Sequence, residues 1–199
     1  MQDRSDIINF LAKENGAMSY HEIGVQRGRN FVKVDIQKKI SVDPEPDGGL
    51  GRSRTTHKMT SDDFFSQNNQ KFDIIFIDGL HHADQVHKDI LNSLKFLNRG
   101  GYIVCHDMNP IGEIYQRVPR ETRSWYGDCW KAWVKLRQER SNLEMFVVDI
   151  DCGCGVISAG KQELIYLNES ISYKGLDKSR KEWLNLISVE DFVHRFNLP

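Results

Sequence analysis

The stretch from Phe72 to Asp78, FDIIFID, constrains the fold of this chain more than any other. It is an almost continuous apolar run, which is typical of a strand buried on both faces of a parallel sheet. Apolar residues then recur at helical spacing over 86–97, and Gly100-Gly101 is expected to end that helix. GYIVCHD, residues 101–107, predicts the next strand. The order strand, helix, strand is a βαβ unit, so the two strands should be parallel.

The rest of the chain predicts further strands and helices around this unit. Strands are expected at 19–25, 38–43, 143–150 and 154–160, the last two forming a hairpin. Helices are expected at 6–14, 31–36, 62–67 with Ser61 as N-cap, 128–140, 178–186 and 189–196. The turn-rich residues 44–55 predict a surface loop. The predicted fold class is α/β: a mostly parallel central sheet with an antiparallel C-terminal hairpin and helices on both faces.

Length and composition favour one soluble domain spanning 1–199, with its core at about 19–160 and a C-terminal helical extension at 161–199. The chain has 199 residues, of which 39% are hydrophobic, and a net charge of -1. Basic and acidic residues alternate, so no nucleic-acid partner is expected. No apolar run approaches the roughly 20 residues of a membrane helix, and the first residues lack a signal-peptide pattern. We therefore expect a cytoplasmic protein with reduced cysteines, and the sequence leaves open whether it forms a homo-oligomer.

Carboxylates end three of the predicted strands, at Asp43, Asp78 and Asp107. In an open α/β sheet, ligands bind outside the carboxyl ends of the strands. The three side chains should therefore lie along one rim. His81 follows Asp78 closely, which places an imidazole on the same rim.

The first strand-to-helix turn is rich in glycine. HEIGVQRGRN, residues 21–30, places Glu22, Gly24 and Gly28 there, where glycines let the backbone approach a ligand. Gln26 interrupts the glycine pattern, so the turn taken alone is equally consistent with a plain tight turn. Asp43 follows at about the distance, some 20 residues, at which a carboxylate binds ribose hydroxyls. Together the turn and the acid indicate a nucleoside site.

These residues resemble the class I S-adenosylmethionine-dependent methyltransferases over about 19–160. The resemblance implies a Rossmann-like methyltransferase sandwich and S-adenosyl-L-methionine as cofactor. The run TSDDFF at 60–65 resembles the segment that meets the adenine. Gln26 departs from the family pattern, which has a glycine there. The cofactor-binding residues implied by the resemblance are Glu22, Gly24, Gln26, Gly28, Asp43, Ser61, Asp62 and Asp78.

Within that family, Asp78-Gly79-Leu80-His81 and His106-Asp107 resemble the metal-dependent O-methyltransferases, both the catechol-type enzymes and those acting on sugars of natural products. The resemblance implies that Asp78 and Asp107 hold Mg2+ and that His81 is the general base. Met108 stands where catechol-type enzymes carry an Asn ligand, so the third ligand stays open among His106, Asn109 and water. His82 stays open as an alternative base. The chemistry agrees, because a metal-bound hydroxyl loses its proton more readily to a nearby imidazole.

The acceptor is expected to be a hydroxyl on a sugar, a glycan or a small natural product, covered by a substrate lid at 109–128. Trp130 and Trp133 are expected in a helix core rather than in a sugar-stacking platform with Trp125. One alternative is a non-haem iron oxygenase that uses His81, His106 and Asp78, although the usual scaffold for such a triad is β-barrel-like, which argues against it. The other is a non-catalytic binding module on the same fold, to which the broken glycine pattern points.

Overall fold

One seven-stranded sheet organises the computed structural model of the chain, which describes residues 1–167 and 170–196. Across the sheet the strand order is β2-β1-β3-β4-β6-β5-β7. β2, β1, β3 and β4 are parallel, β6 runs antiparallel between β4 and β5, and β7 pairs parallel with β5. The predicted α/β class, with its mostly parallel sheet and antiparallel hairpin, is confirmed. The strands are β1 (Ser19–Ile23), β2 (Lys38–Val42), β3 (Phe72–Ile77), β4 (Leu97–Cys105), β5 (Leu143–Val148), β6 (Cys154–Ala159) and β7 (Leu186–Ile187).

Helices cover both faces of this sheet, because the strand residues alternate between two apolar clusters. In β3, Ile75 and Ile77 belong to one cluster and Ile74 and Phe76 to the other, as the two-residue period of a strand requires. The described residues form eight α-helices and one short 3-10 helix at Glu113–Gln116. The α-helices are α1 (Arg4–Asn15), α2 (Arg29–Lys33), α3 (Gly48–Arg54), α4 (Ser61–Gln67), α5 (Ala83–Lys95), α6 (Cys129–Glu139), α7 (Tyr173–Leu184) and α8 (Val189–Phe196).

Three local predictions were wrong in their details. Helix α4 is capped by Thr60 rather than Ser61, because the Thr60 side chain accepts from the Asp63 N–H at 3.1 Å. Helix α5 ends at Lys95, and Gly100-Gly101 lies inside β4 instead of closing the helix. The predicted loop at 44–55 contains α3. A Cβ on Gly51 would lie 2.0 Å from the Gln26 carbonyl oxygen, so α3 packs tightly on the loop between β1 and α2, residues 24–28, which is called the first loop below.

Other elements differ from the prediction mainly in their bounds. The predicted helix at 31–36 is instead α2, which starts and ends earlier, and α7 begins at Tyr173, before the predicted 178. β7 was not predicted, since two residues carry no periodic pattern. Each helix among the described residues is too short or too polar to cross a bilayer.

Candidate active site

A cavity of about 940 Å³ opens at the carboxyl ends of β1, β2, β3 and β4. This is where ligands bind in open α/β sheets, and the volume suits a nucleoside with a small second molecule. Gly28 does not line it: a Cβ there would lie 2.4 Å from Arg54 Cδ, so this glycine packs on α3. The predicted site residues that do line the cavity are Glu22, Gly24, Gln26, Asp43, Ser61, Asp62, Asp78, His81 and Asp107.

Asp43 holds the first loop in shape. Its Oδ2 accepts from the N–H groups of Val25 at 2.9 Å and Gln26 at 2.8 Å, and its Oδ1 accepts from Glu45 N–H at 2.8 Å. Gln26 adopts a φ of 48°, in the left-handed region that a glycine would favour. The carboxylate of Asp43 therefore stabilises the loop at the position where the glycine pattern is broken. Glu45 adds a second carboxylate to the same wall of the cavity.

Gly24 brings this loop against the rim residue Asp78. Its φ is +88°, and a Cβ there would lie 2.0 Å from the Asp78 carbonyl oxygen. Any side chain at position 24 would push the two strand ends apart. The glycine is therefore required by the packing between β1 and β3, as well as by access of a ligand.

Glu22 is a buried acid at the base of the cavity, 1% exposed. Its carboxylate accepts from the Tyr20 hydroxyl and from Asn30 Nδ2, the latter at 2.8 Å. Burial raises the pKa of Glu22 to about 7, although both hydrogen bonds favour the charged form. The group can therefore change its protonation state near neutral pH.

Asp78, His81 and Asp107 meet at the other side of the cavity. His81 Nε2 lies 3.2 Å from Asp78 Oδ1, and His81 Nδ1 lies 3.1 Å from Asp107 Oδ2. One ligand atom from each residue lies within 4.8 Å of the others. His81 Nδ1 is buried and close to Asp107 Oδ2, but the angle between them is not that of a hydrogen bond, so this nitrogen has no hydrogen-bond partner among the described residues. Two carboxylates and an orphaned imidazole nitrogen fit a divalent cation, so the three residues form a candidate metal site.

A second layer of charged groups surrounds this triad. His106 Nδ1 lies 3.1 Å from Asp107 Oδ1 and 3.4 Å from Asp78 Oδ1, and its Nε2 lies 3.4 Å from Asp151 Oδ2. Arg4, at the start of α1, places its guanidinium nitrogen 2.8 Å from His106 Nδ1 and 3.5 Å from Asp151 Oδ2. Arg4 and Asp151 were not predicted, because no local pattern connects them with the strand ends.

The charges in this cluster determine the protonation of its members. Burial works against ionisation of Asp78, but His106 and His81 hold its pKa well below the usual range. Burial likewise opposes the charged form of both imidazoles, yet Asp78 and Asp107 raise the pKa of His81 and of His106. The cluster is therefore a network of alternating charges rather than a patch of one sign.

Asn109, an open candidate for the third metal ligand, is engaged elsewhere. Its Nδ2 donates to Asp149 Oδ1 at 2.9 Å, and its Oδ1 accepts from Arg180 at 2.7 Å. His81 instead lies with Asp78 and Asp107 in the group of side chains that could hold a metal ion. The structure thus places the predicted base within reach of both predicted metal ligands.

Part of the segment predicted as a lid contacts the triad and lines the cavity. The Trp125 ring stacks on the His81 ring, with 5.4 Å between centroids and an angle of 18°. Ser124, Trp125 and Tyr126 line the cavity, whereas Trp130 and Trp133 are fully buried in α6, as expected. His82 is the N-cap residue of α5 and faces a separate cavity of about 360 Å³.

Comparisons with known proteins agree with this arrangement. Residues 11–108 match the family model described as a methyltransferase domain. None of the curated proteins matches the chain in sequence. The structure is similar to that of the O-methyltransferase TomG from Streptomyces achromogenes, solved with S-adenosylmethionine: the TM-score is 0.61 at 14% identity, covering 78% of this chain and 79% of that one.

Two further structures show the same fold. The O-methyltransferase from Bacillus cereus, in complex with S-adenosylhomocysteine, has a TM-score of 0.57 at 15% identity, covering 80% of both chains. The methyltransferase PaMTH1 from Podospora anserina, also bound to S-adenosylhomocysteine, has a TM-score of 0.59 at 16% identity, covering 81% of this chain and 80% of that one. The matched family segment ends just after the His106-Asp107 pair, and the whole sheet has the methyltransferase arrangement. Residues 11–108 thus match a methyltransferase domain, and the chain has the fold of the class I S-adenosylmethionine-dependent methyltransferases.

Proposed function

We propose that this protein is an O-methyltransferase that moves a methyl group from S-adenosyl-L-methionine to a hydroxyl of a sugar, a glycan or a small natural product. The observation that carries the proposal is the position of Asp78, His81 and Asp107. They lie in the same cavity as the glycine loop, so cofactor and acceptor would meet at an acid–base triad. The open sheet also differs from the β-barrel-like scaffold expected for an iron oxygenase.

The cofactor would lie along the first loop, with its two ends at opposite walls. Glu22 would face the methionine amino group, because a carboxylate in a buried pocket attracts an ammonium group. Asp43 and Glu45 lie where the ribose hydroxyls would bind, and Ser61 and Asp62 lie where the adenine would bind. Bound S-adenosylmethionine supplies an electrophilic methyl group on a sulfonium ion.

Asp78 and Asp107 would hold a divalent cation, with Mg2+ the ion expected from the two carboxylates. Such an ion, when bound, lowers the pKa of an acceptor hydroxyl. His81 would accept the hydroxyl proton at a ring nitrogen, and His106 would keep the two carboxylates in place through its contacts with both. Asp78 and Asp107 raise the pKa of His81 against the effect of burial, which favours the protonated imidazole that this step would form.

The acceptor would bind beneath the segment at 109–128, which we propose as the substrate lid. Trp125 and Tyr126 offer aromatic faces, and Asp151 offers a carboxylate that can bind further hydroxyls. Aromatic faces beside hydrogen-bonding carboxylates suit a polyhydroxylated molecule with one apolar face. A lid in this place would also exclude water from the methyl group.

The proposal is tested first by calorimetry with S-adenosylhomocysteine and the full chain. We expect saturable binding at one site per chain. Turnover is then followed as S-adenosylhomocysteine release with sugars and catechols, with and without EDTA, and the methylated atom is identified by NMR. An absence of binding overturns the proposal. Binding without turnover on any acceptor favours the non-catalytic alternative, and methylation at nitrogen or carbon overturns the oxygen assignment.

A further inference from the structure

A buried carboxylate lies outside the acid–base cluster and takes no part in the proposed proton transfer. Asp89 is 1% exposed and lies on the apolar face of α5, between Val86 and Ile90. Burial raises the pKa of Asp89 to about 6, so it is ionised at pH 8. A buried carboxylate is costly unless hydrogen bonds satisfy it. Its hydrogen-bond partners therefore indicate what it does for the protein.

One hydrogen-bond partner of Asp89 is the amide of Gln85, one turn earlier in α5, and the Ser61 side chain also favours the charged form of Asp89. Gln85 Nε2 donates to Asp89 Oδ1 at 3.0 Å. The same nitrogen lies 3.3 Å from Ser61 Oγ and 3.4 Å from Asp62 Oδ1. Rotating the amide by half a turn would place Oε1 against two carboxylates, which is repulsive. The surrounding acceptors therefore fix which end of the Gln85 amide faces α4.

The oxygen of this amide, Gln85 Oε1, accepts no hydrogen bond from the described residues. Among residues 1–167 and 170–196 no group donates to Gln85 Oε1, and this atom is not among the buried unsatisfied ones, so it is accessible. Gln85 lines the large cavity beside Ser61 and Asp62, at its proposed adenine end. The Gln85 amide is therefore held beside the proposed adenine end of the cavity, and its Oε1 is available to accept a hydrogen bond.

We propose that Asp89 is a positioning residue: it orients the Gln85 amide so that Oε1 accepts from the 6-amino group of the cofactor base. The inference rests on the proposed function. The orientation of the Gln85 amide would make the cofactor site prefer adenine to purines that carry a carbonyl at position 6. An amino group donates to Oε1, whereas the carbonyl at the same position of hypoxanthine is a second acceptor. Two facing acceptors leave both without a donor, so the oxo base is rejected.

The test compares the binding of S-adenosylhomocysteine with that of S-inosylhomocysteine, its 6-oxo analogue, by calorimetry at pH 8. We expect the wild-type chain to bind the adenine compound at least about tenfold more tightly. In Asp89→Asn, the new amide can donate to Gln85 Oε1 and turn the side chain around. We expect the ratio of the two dissociation constants to fall to about one or to invert. Asp84→Asn is the matched control, since it makes the same change on an exposed position of α5.

A second variant guards against a folding defect in Asp89→Asn. Gln85→Leu removes the acceptor without changing the buried carboxylate, and we expect the same loss of discrimination. A wild-type ratio near one, or an unchanged ratio in both variants, overturns the inference while the proposed function stands. Failure of the wild-type chain to bind S-adenosylhomocysteine overturns the proposed function itself, so the two failures are distinguishable.

Discussion

Gly127 packs directly on the main chain of His81: a Cβ at position 127 would lie 1.9 Å from the His81 carbonyl oxygen. The next residue strengthens the contact, because Asp128 N–H donates to the same oxygen at 3.3 Å and Asp128 Oδ1 accepts from Ala83 N–H at 2.7 Å. The end of the proposed lid therefore fixes the loop that carries the candidate base.

Replacing this glycine should damage both stability and activity. Gly127 has a φ of +63°, so Gly127→Ala strains the backbone and also forces the His81 loop to move. We expect a loss of more than about 1 kcal/mol in the free energy of unfolding and a drop in kcat. Gly48→Ala is the control: its φ is +64° but no atom lies within 4 Å of the added Cβ. Equal losses in the two variants would show that the contact with His81 is unimportant.

The role of His81 can be separated from that of the carboxylates by measuring metal binding. If His81 is the base, His81→Asn should lower kcat by about 10²–10⁴ and leave Mn2+ binding, followed by EPR, unchanged. Asp107→Asn should instead weaken Mn2+ binding by at least about tenfold. His82→Asn, outside the large cavity, should change neither quantity. A loss of Mn2+ affinity in His81→Asn would make His81 a ligand rather than the base.

Cofactor affinity should depend on pH through Glu22. Because burial raises the pKa of Glu22 to about 7, the acid is largely neutral at pH 6 and ionised at pH 8. Since the methionine ammonium group favours the ionised form, affinity for S-adenosylhomocysteine should rise with pH, by at most about tenfold per unit below pH 7.

Two variants check this assignment. Glu22→Gln should bind weakly at pH 8 and show a flatter pH dependence. Tyr20→Phe removes a hydrogen bond that lowers the pKa of Glu22, so the rise should move to higher pH. The assignment to Glu22 is refuted by an unchanged pH profile in Glu22→Gln.

His21 should make the fold sensitive to acid. Its ring stacks between those of Phe64 and Phe72, with 4.5 and 5.0 Å between ring centroids. Burial lowers the pKa of His21 to about 3. The unfolded chain binds this proton near pH 6.5 while the folded chain does not, so stability falls as pH drops from 6.5 towards 3. His21 alone changes the free energy of unfolding by at most about 1.4 kcal/mol per pH unit.

Urea unfolding at pH 5 and pH 7.5 measures this effect. In His21→Leu the difference in unfolding free energy between the two pH values should shrink. The exposed His194→Leu on α8 should leave the difference unchanged. If both variants lost the same amount of pH dependence, the acid sensitivity could not be assigned to His21.

The sequence predicts the centre of this site better than its surroundings. Asp78 and Asp107 follow apolar strands, so strand periodicity alone places them on one rim, and His81 is close to Asp78 in the chain. Arg4 lies 102 residues from His106, and no propensity or spacing connects the two. A signal for Asp89 did exist, because an acid between Val86 and Ile90 interrupts the apolar face of a helix.

Local structure that depends on contacts between distant parts of the chain could not be predicted either, because such contacts leave no local sequence pattern. Residues 48–54 are rich in glycine and predict a loop, yet they form α3 against the first loop, where Gly51 approaches Gln26. The strand-end position of Asp43 predicts a ribose ligand, but it does not predict the part that this carboxylate plays in stabilising the first loop. The structure has its carboxylate accepting from backbone N–H groups on both oxygens.

The contact between Arg4 and Asp151 also sets an order of events during synthesis. The Arg4 N–H donates to Asp151 Oδ2 at 3.2 Å across 147 residues, and the guanidinium of the same arginine reaches His106. During synthesis, Arg4 in α1 can form this contact only after residue 151 has left the ribosome. The parallel strands β1, β2, β3 and β4 all lie before residue 106, so they can pair before Asp151 has been synthesised. The charged cluster should thus be among the last parts of the molecule to reach its final form, because a nascent chain halted before residue 151 lacks both Asp151 and the strand β6 that joins β4 to β5.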